Sequence, residues 1–248
     1  METTIRNIFR SLEAYFENTE GMPKDIHDWN LNYLKNHRSR YVNDYHMLRK
    51  YYTNGRILEL GSAPFHFTYL LKQMELPVTG VDIDPSRFKA FVDKNNIEVY
   101  KCNVETEPLP FEDGTFHMIL FNEIFEHMRI DPIETLKKIR RVLHPDGYLL
   151  LSTPNLYSIP TVVNFLLGKG FDDPYDQFSK IQKYGHMGHV REYSVKQMRK
   201  FMKETGYQVM EVNLQSHRPL RGLWRPFNLI RKLFPGFHAF QTHICKIA

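Results

Sequence analysis

From Asn54 onward, short apolar runs alternate with amphipathic ones, and this alternation restricts the fold more than any other feature of the chain. Strands buried on both faces read as near-continuous apolar runs, and strands separated by helical segments read as βαβ units of a mostly parallel sheet. Five such strands are legible, at 56–60, 77–83, 97–102, 118–124 and 147–154, and two closing strands follow at 207–214 and 242–247. Between them, 67–74 and 131–143 carry helical spacing, the latter ending at a turn over His144, Pro145, Asp146 and Gly147. A further helix is expected from Ser194, a good N-cap, to Thr205, with Gly206 as its stop.

Before Asn54 the rhythm is helical. Ile5, Ile8, Phe9, Leu12 and Phe16 recur at three- and four-residue steps, and a second helix is expected from about Trp29 to Tyr52 with Leu34, Tyr41, Tyr45 and Leu48 inside. The spacing therefore divides the chain into a helical extension, 1–53, and one α/β domain, 54–248. The domain is interrupted by a long irregular loop at 156–193 and by a basic amphipathic stretch at 217–238. At 248 residues with 42% hydrophobic content, there is enough apolar surface for one packed core. No run approaches the roughly 20 apolar residues of a membrane span. Two cysteines, Cys102 and Cys245, give neither a disulfide framework nor a thiolate zinc site. A cytoplasmic protein is expected.

The strongest chemical signal lies at the end of the first strand. Glu59-Leu60-Gly61-Ser62 stands between a strand and a helix, where open α/β sheets bind nucleotide-like ligands at their carboxyl edge. Glycine at 61 lets backbone approach a ligand, and Asp82, ending the second strand, offers a carboxylate to a ribose diol. The segment 61–66 lacks the three-glycine dinucleotide fingerprint, which sets a dehydrogenase aside.

With 58–62, 81–85, 109–116, 122–128, 143–155 and 188–194 in this order, the chain resembles the class I S-adenosylmethionine-dependent methyltransferases over about 54–214. The resemblance implies a Rossmann-like, seven-stranded, mostly parallel sheet with helices on both faces, and S-adenosylmethionine as cofactor. It implies a cofactor set of Glu59, Gly61, Ser62, Ala63, Asp82, Ile83, Asn103, Val104 and Asn122. Within that set, Glu59 serves the methionine amino end, Asp82 the ribose, and Asn103 with Val104 the adenine. Ala63 and Phe65 stand where the family usually has glycine, and His117 where it usually has aspartate.

Methyl transfer is a direct displacement, so the protein must supply alignment and, for a hydroxyl acceptor, a base. Glu123, Glu126 and His127 leave the fourth strand at the cofactor edge, and His127 is the first choice because an ordinary imidazole accepts a proton near neutrality. Glu123 and His189, the latter on the Gly185–Tyr193 element, complete the catalytic candidates. A related quinone-biosynthesis branch resembles this segment and points to a divalent metal on Glu123, Glu126 and His127; the favoured reading has no metal. His186 is read as a loop contact and Arg191 as half of a local salt bridge.

The net charge of +5 permits an anionic partner. In 217–238, Arg218, Arg221, Arg225, Arg231 and Lys232 alternate with Leu, Trp, Phe and Ile, the pattern of a segment that lies on an anionic membrane or covers a sheet edge. The expected partner is a small-molecule or glycan-like acceptor methylated at oxygen, with peripheral contact at the inner membrane face. Quinone or aromatic-precursor methylation is one alternative; RNA modification and a non-catalytic cofactor-binding protein are others. The lack of an RNA-binding module or a stacking platform argues against nucleic acid.

Overall fold

A computed structural model describes residues 2–19, 24–184 and 188–248. Seven strands, β1 (Arg56–Leu60), β2 (Val78–Asp82), β3 (Val99–Lys101), β4 (Phe116–Asn122), β5 (Leu143–Pro154), β6 (Tyr207–Gln215) and β7 (Phe240–Ile247), form one sheet in the order β3-β2-β1-β4-β5-β7-β6. The first five pair in parallel, and β7 runs antiparallel between β5 and β6. The sheet is thus the mostly parallel one expected.

Alternation along each strand builds two cores. Ile57, Met118, Leu120, Leu150 and Ile244 point to one face, where they meet α1 (Glu2–Glu17), α2 (Lys24–Tyr51), α3 (His66–Gln73) and α4 (Lys89–Lys94). Leu58, Ile119, Phe121, Leu149, Leu151 and Cys245 point to the other, against α5 (Pro132–Val142) and α8 (Val195–Glu204). Successive side chains of a strand face opposite ways, so continuous apolar runs become two-sided strands. Asp131 caps α5, and Ser194 with Gln197 closes a capping box on α8, each cap contributing about 1 kcal/mol.

Three expectations need correction. The second helix starts at Lys24, not near Trp29. The loop expected over 156–193 contains two helices, α6 (Ile159–Leu166), capped by Ser158 and opened by Pro160, and α7 (Pro174–Tyr184). The turn at 144–147 lies inside β5: Phe116 pairs with Leu143 and Met118 with Tyr148, so these residues bulge without ending the strand.

The chain runs from β1 outward to β3 and then crosses to β4, on the other side of β1. That reversal opens a crevice at the carboxyl ends of β1 and β4, and it fixes where a ligand goes.

Candidate active site

Three loops converge on the crevice. After β1, the Gly61 and Ser62 N–H groups donate to Val81 C=O (2.8 and 3.0 Å), and Ala63 N–H donates to Asp82 Oδ2 (2.9 Å). Asp82 Oδ1 accepts the Asp84 N–H at 2.9 Å. One backbone donor per oxygen locks the carboxylate while leaving lone pairs for a ligand, since a carboxylate has about four acceptor sites. The Ser62 hydroxyl turns to Val81 C=O (3.2 Å), so this residue contributes backbone and wall.

Gly61 has φ +69°, and a Cβ there would lie 2.2 Å from Ile124 Cδ1 and 2.6 Å from Cγ1. The space opened by the missing side chain is taken by Ile124, which lines the crevice beside it. Gly61→Ala is expected to cost about 1–3 kcal/mol, from left-handed backbone strain and overpacking. Ile124→Ala in the same chain should recover part of that loss in a thermal melt, and strict additivity of the two changes would refute the contact. Four residues later in the loop, Phe65 adopts φ +66° with its ring fully buried, so it occupies a glycine-like conformation held by packing. His117, the other departure, stacks on His144 with centroids 4.2 Å apart.

A cleft of about 210 Å³ is lined by Gly61, Asp82, Ile83, Asn103 and Val104 together with Glu123, Ile124 and His127. Asn103 Oδ1 accepts the Glu105 N–H at 3.0 Å. A smaller recess of about 60 Å³ shares Gly61, Ala63 and Glu123 and is lined by Glu59, Ser62 and Asn122. The cofactor candidates are therefore brought together. His189 does not line the cleft; its ring packs edge-on to His127, centroids 5.0 Å apart, and its Nδ1 lies 3.6 Å from Glu192.

Residues of α2 that the sequence reading left outside the site reach into it. Trp29 and Tyr33 wall the main cleft, and Arg40 enters the smaller recess. Arg40 is 5% exposed, lies 4.0 Å from Asp44 and 3.9 Å from Glu123, and leaves Nε and Nη1 without hydrogen-bond partners. It is a desolvated cation with two idle donors. Around it, burial pushes Asp44 up to about 7 and Glu59 up to about 8, and also raises Glu123. Glu59 is further shaped by a hydrogen bond from Thr68, by Arg40, and by the nearby Asp82 and Asp44. The signal was in the spacing: Tyr33, His37, Arg40 and Asp44 form a stripe one position ahead of the apolar one, at three- and four-residue steps.

Glu123 follows β4 with φ +56°, its N–H bonded to Ser152 C=O (2.9 Å) and its Oε1 accepting the Ser152 hydroxyl (2.8 Å). Non-glycine residues held in this region cluster at functional sites. His127 Nδ1 lies 2.9 Å from Gly188 C=O; a carbonyl only accepts, so Nδ1 carries a proton and, in the neutral ring, Nε2 holds the lone pair. Ligating atoms of Glu126, His127 and His189 lie within 4.8 Å of one another, so the structure groups His189, in place of Glu123, with the two metal candidates. Burial raises Glu126 far above the usual carboxylate range, so it would have to lose a proton to ligate. Arg191 forms no salt bridge among the described residues and lies over the Tyr193 ring at 5.5 Å; it is exposed, and stacking holds it without a carboxylate. His186 lies outside the described residues.

Comparison with known proteins gives a consistent result. The family profile described as "Methyltransferase domain" matches residues 33–212. A SAM-dependent methyltransferase of Thermotoga maritima superposes with TM-score 0.60 at 18% identity, over 90% of this chain and 97% of that one. Another from Archaeoglobus fulgidus gives 0.57 at 16%, over 87% and 99%. A [4+2]-cyclase gives 0.57 at 13%, over 85% and 81%, so the fold also hosts other chemistry. No curated protein sequence matches the chain.

Proposed function

The chain belongs to the methyltransferase-domain family, its methyl donor is S-adenosylmethionine, and from that premise we propose that it methylates an oxygen of a small-molecule or glycan-like acceptor. The observation that carries this reading is one cleft at the switch point whose lining includes both Asp82, Asn103 and Val104 and the acid–base pair Glu123 and His127.

The recess suits a zwitterion. Arg40, with its idle donors, takes the methionine carboxylate, and Glu59 takes the ammonium. Asp82 would accept from the ribose hydroxyls, while Ile83 and Val104 would offer apolar contact to the adenine and Asn103 a partner for its amino group. The backbone of Gly61, Ser62 and Ala63, with Asn122, forms the walls. Bound there, the cofactor supplies a methyl group on a sulfonium, already activated for displacement. His127 Nε2 takes the proton of the acceptor hydroxyl as the oxygen attacks, Glu123 orients that hydroxyl, and His189 holds the His127 ring by edge contact.

Calorimetry with S-adenosylmethionine tests the reading, and pH sharpens it. An ammonium beside Glu59 favours its ionised form, so below pH 8 binding must expel a proton. Affinity should rise with pH by up to about tenfold per unit until Glu59 is ionised, with an enthalpy that depends on the buffer. The ligand-free protein should do the opposite. Glu59 and Asp44 bind more protons folded than unfolded between their ordinary values, 4.5 and 3.8, and about 8 and 7, so its stability falls as pH rises through that window. Absence of binding at any pH would overturn the assignment.

No described helix is long and apolar enough to cross a membrane. We place a peripheral membrane contact at 217–238, where α9 (Phe227–Leu233) leaves Leu229, Leu233 and Phe234 about 60% exposed, next to exposed Arg221, Arg225 and Lys232. Anionic liposomes should sediment the protein at low salt, and Leu233→Asp should abolish this; protein remaining in the supernatant refutes the contact.

A further inference from the structure

One turn before Arg40, Asn36 and His37 of α2 wall a second cavity of about 250 Å³, completed by His217, Arg218, Arg231 and Phe240. An adjoining depression shares Arg218 and Arg231 and adds Lys232 and His238. Among the described residues, no aspartate or glutamate lines either one. Arg231 is 5% exposed, its Nε has no partner, and its Nη1 reaches only the Arg218 carbonyl at 3.4 Å. Neither Arg218 nor Arg231 pairs with a carboxylate among the described residues. The His37 Nδ1 and both His217 ring nitrogens are also buried and unpartnered.

A guanidinium out of water with no counter-charge is strongly disfavoured unless an anion neutralises it. The arrangement has what such an anion needs: two guanidinium groups, a lysine at the rim, and imidazoles able to donate N–H. Burial, reinforced by nearby cations that include Arg40, holds His37 down to about 3 and His217 to about 4, so both rings are neutral. Guanidinium forks match tetrahedral oxyanions in geometry and charge. The cavity is also tied to the cleft, because Tyr33, which lines the cleft, stacks on His37 with centroids 4.1 Å apart.

We propose that this cavity binds a phosphoryl group through Arg218, Arg231, His37 and His217, and that the acceptor is a phosphoester whose phosphate docks here. Only the word acceptor rests on the methyltransferase reading. The phosphate belongs either to a soluble phosphoester or to a lipid headgroup.

The test uses the full chain with inorganic phosphate as probe. At matched ionic strength, phosphate should raise Tm relative to chloride. Arg218→Ala and Arg231→Gln should each weaken that response at least about tenfold in phosphate concentration, and Arg225→Ala, outside both cavities, should keep it. Arg218 is exposed, so its variant folds even if the Arg231 one does not. No phosphate response, or an equal one in the variants, overturns the proposal. Vesicles containing phosphatidic acid separate the sources: phosphate-competed sedimentation lost in Arg218→Ala identifies a lipid, and a phosphate response without it identifies a soluble ligand. S-adenosylmethionine binding without a phosphate response sinks the phosphoryl site alone. A phosphate response without S-adenosylmethionine binding sinks the methyltransferase reading alone.

Discussion

Arg40→Gln is expected to weaken S-adenosylmethionine binding by about 100-fold, the loss of a charge-assisted bond worth about 1.5–3 kcal/mol. Nothing else in the recess replaces it. Arg40 brings two unpartnered donors to a pocket whose other described side chains include the acids Glu59 and Glu123 and no second cation. Breaking a buried charge cluster usually costs stability as well. Here the cost is softened, because Asp44 and Glu123, already pushed upward by burial, can stay protonated when their cation is removed. The variant should therefore melt closest to wild type near pH 6 and fall further behind above pH 7. Calorimetry at pH 7 reads the affinity, and a Kd within threefold of wild type would remove Arg40 from the cofactor site.

His127→Gln should lower kcat for a hydroxyl acceptor by about 10²- to 10⁴-fold, the usual contribution of a positioned general base, and leave cofactor affinity unchanged. The geometry makes this specific to one atom. Gly188 C=O accepts from Nδ1–H at 2.9 Å, so the lone pair is on Nε2. The rise of kcat with pH that reports the imidazole should vanish in the variant. If kcat persists with its pH profile intact, the base is Glu123, which shares the cleft. A drop in kcat accompanied by a matching loss of cofactor affinity would mean that His127 only shapes the pocket.

Much of the site was legible because its signals are local. Gly61 and Asp82 sit at strand ends, and strand ends are readable from apolar periodicity. Gly61 nonetheless serves a purpose the pattern does not show, making room for Ile124 across the switch point, 63 positions further along the chain (124 − 61). Phe65 looked like a defect in the loop; full burial of its ring explains how a non-glycine residue holds φ +66° there. The helix Ile159–Leu166 carried its own signal, Ser158 before Pro160, but Gly168 and Gly170 just after it obscured it.

Apolar spacing and strand–helix punctuation are properties of neighbouring residues, so the seven strands and a candidate site at their carboxyl edge were legible along the chain. Which charges that candidate site contains depends on how distant segments pack. Arg40, Asp44 and Tyr33 read as the solvated side of an N-terminal helix until that helix packs across the crevice. Packing buries Arg40 without a hydrogen-bonded counter-ion, raises Asp44 and Glu59, and leaves Arg231, far along the chain, beside His37 with no carboxylate. Burial and charge environment are set by residues distant in sequence, and those distances close only when the chain folds.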